Sequence, residues 1–337
     1  MRGLIIHEFG PISSHQVEDF DDPIASKGEV IVDVHAIGLN FPDTLMIQGK
    51  YQMWPERPFV PGRDAAGIIS AVGEGVKNLK IGDRVACQVL WGAFGNKVCA
   101  PEPKVFKLPD EIDFVSAAGM ITTYNTAHVA VYERGNVQSG ETVFITGASG
   151  GVGLAMVEMA KARGATVLAG ATSKEKGDLA IAHGADHWID LSVEDLHQGV
   201  KDQVLAAIGE NLCQAVFDVV GGKVFDAAMR CLAYRGRMVI VGFATMDISM
   251  PKGHHILLKN ISIIGAPLDI NFKKSIDVIH RGIKIIFELW KTGKIKPEVG
   301  QILPLDKITT AIQSIEDRTA LGKIVITTDN FILTTNK

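Results

Sequence analysis

The stretch Val143-Phe-Ile-Thr-Gly-Ala-Ser-Gly-Gly-Val-Gly-Leu154 passes from an apolar run into clustered glycines and then into a helical pattern. This succession predicts a β-strand, a tight turn and the start of a helix. Gly147, Gly150 and Gly153 fall three residues apart, and Ala148 stands where the dinucleotide fingerprint G-x-G-x-x-G would carry its first glycine. The stretch is therefore a variant of that fingerprint.

The glycines of this turn suit a bound pyrophosphate. Gly147 permits the sharp turn, while Gly150 and Gly151 let backbone N–H groups approach a phosphate with no side chain in the way. A plain tight turn is the alternative interpretation of glycines alone. The context favours a nucleotide site, because Gly164 ends the helical pattern and the apolar run over residues 165–170 predicts the next parallel strand.

Strand and helix patterns then alternate through the middle of the chain, which predicts a doubly wound parallel sheet. A long helix over about residues 272–291 and a strand over 323–328 follow. Residues 1 to about 120 show short strands punctuated by glycine and proline, typical of a β-rich unit or a partly open barrel. The predicted parallel strands cover residues 143–146, 166–170, 186–190, 214–220, 237–243 and 260–266.

Composition excludes several classes of protein. The 337 residues are 47% hydrophobic and 21% charged, enough for two globular domains. A net charge of −4 with interspersed signs argues against a nucleic-acid partner, and no apolar run is long enough to span a membrane. The four cysteines are scattered without a C-x-x-C pair, so we expect free thiols and a cytoplasmic protein.

The strand over residues 260–265 bears on the oligomeric state. It is the last parallel strand of the series and carries Ile261, Ile263 and Ile264. If it lies at the sheet edge, it exposes an unpaired ladder, and such edges are normally paired or covered. The sequence therefore predicts a homodimer through this edge.

The end of the second strand predicts which nicotinamide cofactor is preferred. In NAD-binding versions an acidic residue about 20 positions after the glycines accepts from the ribose 2′-OH. Here the strand ends Ala169-Gly-Ala-Thr-Ser-Lys174, which offers hydroxyls and an ammonium and no carboxylate. Ser173 and Lys174 therefore predict binding of the 2′-phosphate of NADPH.

The sequence resembles the medium-chain dehydrogenase/reductase superfamily, and within it the zinc-free quinone oxidoreductases related to zeta-crystallin. The resemblance covers essentially the whole chain and implies a Rossmann doubly wound domain of α/β class inserted in a GroES-like, β-rich catalytic domain. It implies boundaries of 1–122 plus 266–337 for the catalytic domain and 123–265 for the Rossmann domain. The motifs that carry it lie in residues 40–51, 61–67, 72–76, 82–85, 146–153 and 235–242.

One departure from the zinc-dependent relatives is informative. Those enzymes carry Gly-His-Glu where this chain has Gly62-Arg63-Asp64, and they carry a four-cysteine lobe for which no spacing exists here. Without a convincing tetrahedral ligand set, no metal is expected. Nothing would then deprotonate an unactivated alcohol, so alcohol oxidation is not expected either.

The resemblance also implies residues beside the nicotinamide. Asn40 would orient the ribose or a substrate carbonyl, and Tyr51 would donate to developing enolate charge. Their alternatives are a turn-capping side chain and an aromatic packed on Trp54. Thr126 matches a Thr-Ala pair near the nicotinamide, with an ordinary helix residue as the alternative. Lys323 matches a basic position near the cofactor, with a solvated lysine as the alternative.

Further cofactor contacts are predicted where parallel strands end, because α/β sheets bind ligands at the carboxyl edge. Backbone groups at the ends of the predicted strands over 237–243 and 260–266 would bind the carboxamide of the nicotinamide. The predicted cofactor residues of this edge are Ser149, Gly150, Gly151, Val152, Gly242, Phe243, Ala244, Ala266, Pro267 and Leu268.

Taken with the resemblance, these residues predict an NADPH-dependent reductase that transfers hydride to quinones or other activated C=C acceptors without zinc. One alternative is a reductase of acrylate-type or enoyl thioester substrates, which would share the machinery and differ in the shape of the site. A second alternative, from a different class, is a non-catalytic NADPH-binding protein. The predicted partner is a small electrophilic molecule, with no nucleic acid and no membrane.

Overall fold

A computed structural model of the chain describes residues 1–320 and 322–331. Contacts divide the chain into two compact units, Met1–Thr122 with the described part of Pro297–Lys337, and Thr123–Lys296. Residues 266–296, which the sequence boundaries assign to the first unit, group with the second. The reason is that a helix of this segment packs against residues 128–134 of the second unit.

The first unit is β-rich, as its short apolar runs predict. Its first α-helix, α1 at Phe41–Ile47, begins after Asn40. Its strands are β1 (Arg2–Leu4), β2 (Val17–Asp19), β3 (Glu29–Gly38), β4 (Asp64–Val72), β5 (Arg84–Gln88), β6 (Lys97–Pro101) and β7 (Val105–Lys107). Helix α2 (Phe114–Ala127) follows and continues as a π-helical segment over His128–Arg134.

Strand β3 is the centre of the first unit's larger sheet. It pairs with β4 and with β6, and its valines lie in the core. The alternation of its residues predicts a solvated side chain for His35. That prediction is wrong, because His35 is 4% exposed and its ring centroid lies 4.6 Å from that of Phe114. Both faces of β3 are covered, so the polar residue of the alternating pattern is buried too.

The second unit carries the predicted six-stranded parallel sheet. Its spatial strand order is third, second, first, fourth, fifth, sixth in chain order, which is the doubly wound arrangement, and the α/β prediction is confirmed. In chain order the elements are β8 (Thr142–Thr146), α3 (Gly151–Ala162), β9 (Thr166–Ala171), α4 (Lys174–Ala182), β10 (His187–Asp190), α5 (Leu196–Ile208), β11 (Cys213–Asp218), α6 (Gly222–Met229), β12 (Leu232–Ile240), α7 (Gly253–Lys259) and β13 (Ser262–Gly265).

The helix predicted over residues 272–291 is two helices in the structure, α8 at Leu268–Lys274 and α9 at Ile276–Lys291. Ser275 interrupts them with φ −152° and ψ 54°, and its N–H donates to the carbonyl of Asn271 at 2.8 Å. Because Ser275 has an extended φ, the helix is interrupted at this one residue. The hydrophobic periodicity of the sequence does not indicate such an interruption.

The chain returns to the first unit for its last elements. These are β14 (Val299–Pro304), α10 (Ile308–Glu316) and β15 (Lys323–Thr327). Strand β15 pairs with β14 on one side and with β3 on the other, so it lies inside the sheet rather than at its edge. Among residues 1–320 and 322–331, no helix combines the length and the apolar character needed to cross a bilayer.

Candidate functional site

The glycine turn after β8 leads directly into the start of helix α3. Gly147 has φ +63°, and the N–H of Ala148 donates to the carbonyl of Gly170 at 3.0 Å, which ties the turn to β9. Helix α3 then begins after Gly150, and no side chain of the described residues caps it. The N–H groups of a helix's first turn have no carbonyl partner within the helix, so they point outward at the positive end of the dipole.

Two glycines of this turn serve different purposes. A Cβ on Gly153 would lie 2.2 Å from the carbonyl oxygen of Gly147, so this glycine is required for the turn to pack on α3. A Cβ on Gly150 would meet that oxygen only at 3.5 Å, an ordinary contact. The protein itself therefore has room for a side chain at residue 150, and the open space suits a ligand.

Asp218 organises the neighbouring loop and was not among the predicted residues. It ends β11 and is fully buried, and its carboxylate accepts from Thr146 Oγ1 at 2.5 Å and from the N–H of Gly221 at 2.9 Å. Desolvation raises the pKa of this carboxyl, and the bond from Thr146 opposes that shift. The sequence signal that could have identified Asp218 is a carboxylate at the end of an apolar strand.

The later loops of the carboxyl edge are fixed by backbone bonds. The N–H of Gly242 donates to the carbonyl of Asp218 at 3.2 Å, and that of Ala244 donates to Val219 at 2.9 Å. The N–H of Ala266 donates to Ile240 at 3.0 Å. Phe243 lies within the first of these loops, while Pro267 and Leu268 open α8. The predicted residues of these later loops thus follow two neighbouring strands of one sheet, β12 and β13.

Ser173 and Lys174 lie at the start of α4, directly after β9. The hydroxyl of Ser173 accepts from the N–H of Lys176 at 3.3 Å and caps the helix. The ammonium of Lys174 lies 2.6 Å from Asp178 in an exposed pair. Exposed pairs of this kind contribute about 0–1 kcal/mol, so the ammonium is available to a stronger anion. Thr126 is buried near the end of α2.

In the first unit, Asn40, Asp64 and Lys323 form a buried cluster. Lys323 Nζ donates to Asn40 Oδ1 at 2.6 Å and to Asp64 Oδ2 at 3.3 Å. Asn40 Nδ2 donates to Asp64 Oδ2 at 3.0 Å and to the carbonyl of Gly38 at 3.3 Å. The solvated alternative for Lys323 is therefore wrong, because its ammonium is buried and paired. A direct role for Asn40 toward a ligand stays a prediction.

Two further side chains extend the cluster from Asp64. Thr122 Oγ1 donates to Asp64 Oδ1 at 2.5 Å, and Gln88 Nε2 donates to Thr122 Oγ1 at 2.6 Å. Each oxygen of the Asp64 carboxylate therefore accepts at least one hydrogen bond, as a buried carboxylate requires.

Tyr51 is linked to the cluster through Arg63 and Asp43. The guanidinium carbon of Arg63 lies 5.0 Å from the centroid of the Tyr51 ring, and Arg63 Nε lies 4.0 Å from Asp43 Oδ1. Asp43 is in the first turn of α1, where its other oxygen accepts from the N–H of Asn40 at 2.8 Å. The cluster thus contains two carboxylates and two cations.

Sequence reasoning did not select Asp43, Arg63, Asp64, Thr122 or Gln88. The available signals were an acidic residue three positions after an N-cap asparagine, and charged residues directly before an apolar strand. Neither signal shows which charges meet.

The buried carboxyl of Asp43 gives a pH-dependent prediction. Burial raises its pKa from 3.8 to about 7, and Arg63 opposes that shift. Because the folded-state pKa is raised, the folded protein retains the proton while the unfolded chain releases it, so stability falls as the pH rises from about 4 to about 7.

Between about pH 5 and pH 8 we expect Asp43→Asn to remove up to about 3 kcal/mol of this fall, since one pKa unit is worth about 1.4 kcal/mol. Urea unfolding of both proteins at the two pH values measures the difference. The same pH dependence in both would show that Asp43 ionises normally in the folded state.

Donor chemistry does not favour a metal centre in either unit. Within residues 1–320 and 322–331, no group of three or more His, Cys, Asp or Glu side chains is arranged to hold a metal ion. Where the zinc-dependent enzymes carry histidine and glutamate, Arg63 is itself a cation and Asp64 is engaged by Lys323.

Two protein families match the chain. Residues 26–110 match the family described as "Alcohol dehydrogenase GroES-like domain", and residues 151–279 match the family described as "Zinc-binding dehydrogenase". The chain is 34% identical to a quinone oxidoreductase-like protein 2 homolog of Nematostella vectensis, over 97% of this chain and 89% of that protein. It is 30% identical to the human quinone oxidoreductase, over 97% of each.

A solved structure agrees with these matches. The quinone oxidoreductase of Escherichia coli, solved as a complex with NADPH, superposes with a TM-score of 0.85 at 27% identity, covering 97% of this chain and all of that one. Relatives at this identity over nearly the whole chain, together with the two domain families that this chain matches, confirm the resemblance drawn from the sequence motifs. The chain belongs to the zinc-free quinone oxidoreductase branch of the medium-chain dehydrogenase/reductase superfamily.

Proposed function

We propose that this protein is an NADPH-dependent reductase of quinones and other activated C=C acceptors, and that it acts without zinc. The observation that carries the proposal is the uncapped start of α3 beside Gly150, at the carboxyl edge of a doubly wound sheet. Relatives named quinone oxidoreductases, one of them in complex with NADPH, support it. When bound, NADPH supplies a hydride to an electron-poor carbon.

The residues of the second unit fit this cofactor. The first-turn N–H groups of α3, including those of Gly151 and Val152, would bind the pyrophosphate, and the absence of a Cβ at Gly150 leaves it room. Ser173 and Lys174 would bind the 2′-phosphate from the start of α4. Backbone groups in the loops after β12 and β13 would accept hydrogen bonds from the carboxamide of the nicotinamide and donate hydrogen bonds to it.

In the first unit, Tyr51 would donate a proton from its hydroxyl to the acceptor's oxygen as negative charge develops there. Asn40, whose amide is fixed by Lys323 and Asp64, would orient the reactants through what remains of its hydrogen-bonding capacity. A quinone or enone already delocalises the charge that reduction creates, so one donor is sufficient.

The charge of the first-unit cluster supports the proposal of zinc independence. Arg63 and Lys323 already supply two positive charges beside Asp43 and Asp64, and each carboxylate has a cationic partner in the protein. A divalent ion would have to displace a buried ammonium or guanidinium there.

Rapid mixing tests the proposal. Protein treated with a chelator and loaded with NADPH is mixed with a quinone, an enone or an enoyl thioester. In a separate reaction, protein loaded with NADP⁺ is mixed with a simple alcohol. We expect the quinone and the enone to oxidise NADPH rapidly, and we expect no reduction of NADP⁺ by the alcohol. Preference for the thioester favours the acrylate-type alternative, tight binding without oxidation favours the non-catalytic class, and activity restored only by zinc refutes the proposal.

Lys174→Glu should reduce the preference for NADPH over NADH. A charged hydrogen bond to the 2′-phosphate is worth about 1.5–3 kcal/mol, and because Lys174 is exposed and pairs with Asp178 we expect the lower end, about tenfold in affinity. Fluorescence titration of both cofactors measures it, with Lys176→Glu as a matched surface control. Equal kcat/KM for NADH and NADPH in the unmodified protein would contradict the assignment.

We also propose a homodimer formed through β13. This strand ends the sheet, and the segment that leads into it carries Met250, Leu257 and Leu258, whose side chains are 83%, 80% and 77% exposed. Apolar exposure beside an unpaired strand edge is typical of a buried interface. Light scattering should give twice the chain mass, and a monomer mass in dilute solution would rule the dimer out.

A cytoplasmic location is proposed from the thiols. Cys87, Cys99, Cys213 and Cys231 are all free, and burial raises the pKa of Cys87 to about 12. Free thiols of this kind persist in a reducing compartment.

A further inference from the structure

Arg63 is a buried arginine in contact with an aromatic ring. Its side chain is 5% exposed, and its guanidinium carbon lies 5.0 Å from the centroid of the Tyr51 ring. Burying a guanidinium is costly unless charge and geometry compensate. A cation against the face of a tyrosine ring is attracted by the ring's quadrupole, and the attraction depends on where the ring lies.

The two ends of Arg63 are held by regular structure. Its carbonyl accepts from the N–H of Val89 at 2.9 Å, immediately before β4 begins, so its backbone is fixed. Its Nε lies 4.0 Å from Asp43, a fully buried carboxylate anchored in the first turn of α1. Asp43 is faced in turn by Asp64 of β4 and Lys323 of β15, as well as by Arg63.

Tyr51, in contrast, lies in the loop that follows α1, outside any helix or strand. Its ring packs against the first unit's core, and the direction of its hydroxyl depends on the side-chain torsions. A donor that must meet a developing charge within about 3 Å loses much of its effect when it is displaced by about 1 Å.

We propose that Arg63 is a positioning residue for Tyr51: its guanidinium, held by Asp43, lies on the ring and fixes the direction of the phenolic hydroxyl. The inference rests on the proposed function, in which Tyr51 donates to the acceptor's oxygen. Arg63 itself need not touch the reacting atoms.

A double-mutant cycle tests this inference. The kcat on an enone with saturating NADPH is measured for the unmodified protein, Tyr51→Phe, Arg63→Met and the double variant, and the Kd for NADPH is read from fluorescence as a second measurement. Arg63→Lys retains the charge without the planar group. Arg57→Met is the matched control, because Arg57 also lies over an aromatic ring, 4.6 Å from that of Phe9, but on the surface.

We expect Arg63→Met to lower kcat by about tenfold when Tyr51 is present and by less than about twofold in the Tyr51→Phe background, with the Kd for NADPH unchanged. Arg63→Lys should fall between, and Arg57→Met should leave kcat unchanged. If Arg63→Met does not fold, Arg63→Met combined with Asp43→Asn, which removes both charges, replaces it in the cycle.

Equal losses in both backgrounds would overturn the inference, since a general role in folding does not depend on a hydroxyl. An unchanged kcat in Tyr51→Phe alone would overturn it together with the donor role of Tyr51. A loss in Tyr51→Phe without coupling to Arg63 would overturn only the positioning role and would leave the proposed function standing.

Discussion

Tyr51→Phe should lower kcat by about ten- to a thousand-fold on an enone, and by less on a quinone. The variant keeps the ring that lies against Arg63 and removes only the hydroxyl, so packing in the first unit is preserved. An enone needs a proton at its oxygen as charge develops, whereas the reduced form of a quinone is stabilised by its own aromaticity. Steady-state kinetics on both acceptors at saturating NADPH measure the two ratios.

Tyr234→Phe is the control for this experiment, because Tyr234 is 71% exposed on the second unit and its substitution should change neither rate. Unchanged rates on both acceptors in Tyr51→Phe would leave Tyr51 as a packing residue. Equal losses on enone and quinone would argue for a role in holding the acceptor rather than in protonating it.

Gly150→Ala should weaken NADPH binding by at least about tenfold while leaving the fold intact. The added Cβ has an ordinary 3.5 Å contact within the protein, so the loss of stability should stay within about 1 kcal/mol, the usual cost of alanine at an N-cap. The pyrophosphate, however, has to approach the same Cα. Cofactor titration and thermal melting of the unliganded protein separate the two effects.

Gly153→Ala provides the comparison. Its Cβ would lie 2.2 Å from a backbone oxygen and 2.7 Å from the Cα of Ala148, so the turn must shift even without a ligand. We expect this variant to lose both stability, by about 1–3 kcal/mol, and affinity. Gly150→Ala with unchanged NADPH affinity would show that the cofactor does not use this turn.

The sheet of the second unit could be predicted because its signals are local. Most of the strands contain an apolar run that a glycine or a helical pattern follows, and all six overlap their predicted positions, although β12 begins five residues before its predicted start at residue 237. The prediction extended the fourth strand to residue 220, whereas β11 ends at Asp218. Val219 and Val220 are apolar but belong to the loop that donates to Asp218 and Thr146.

The candidate site could be predicted only in part. The carboxyl edge follows from topology, so its residues were accessible to sequence reasoning. The cluster of the first unit depends on which charges meet, and Lys323 reaches Asn40 across 283 positions of sequence. Neither the spacing nor the periodicity of the sequence carries that information, and neither indicates that Arg63 pairs with Asp43.

The position of β15 has a consequence for the order in which the chain can fold during synthesis. The second unit is one continuous segment, Thr123–Lys296, so all of its strands have been translated before the last part of the first unit emerges. The first unit needs β15 between β14 and β3, and its buried lysine beside Asn40 and Asp64. The nascent protein therefore carries a complete nucleotide-binding sheet while the charges around Tyr51 still lack one of their two cations.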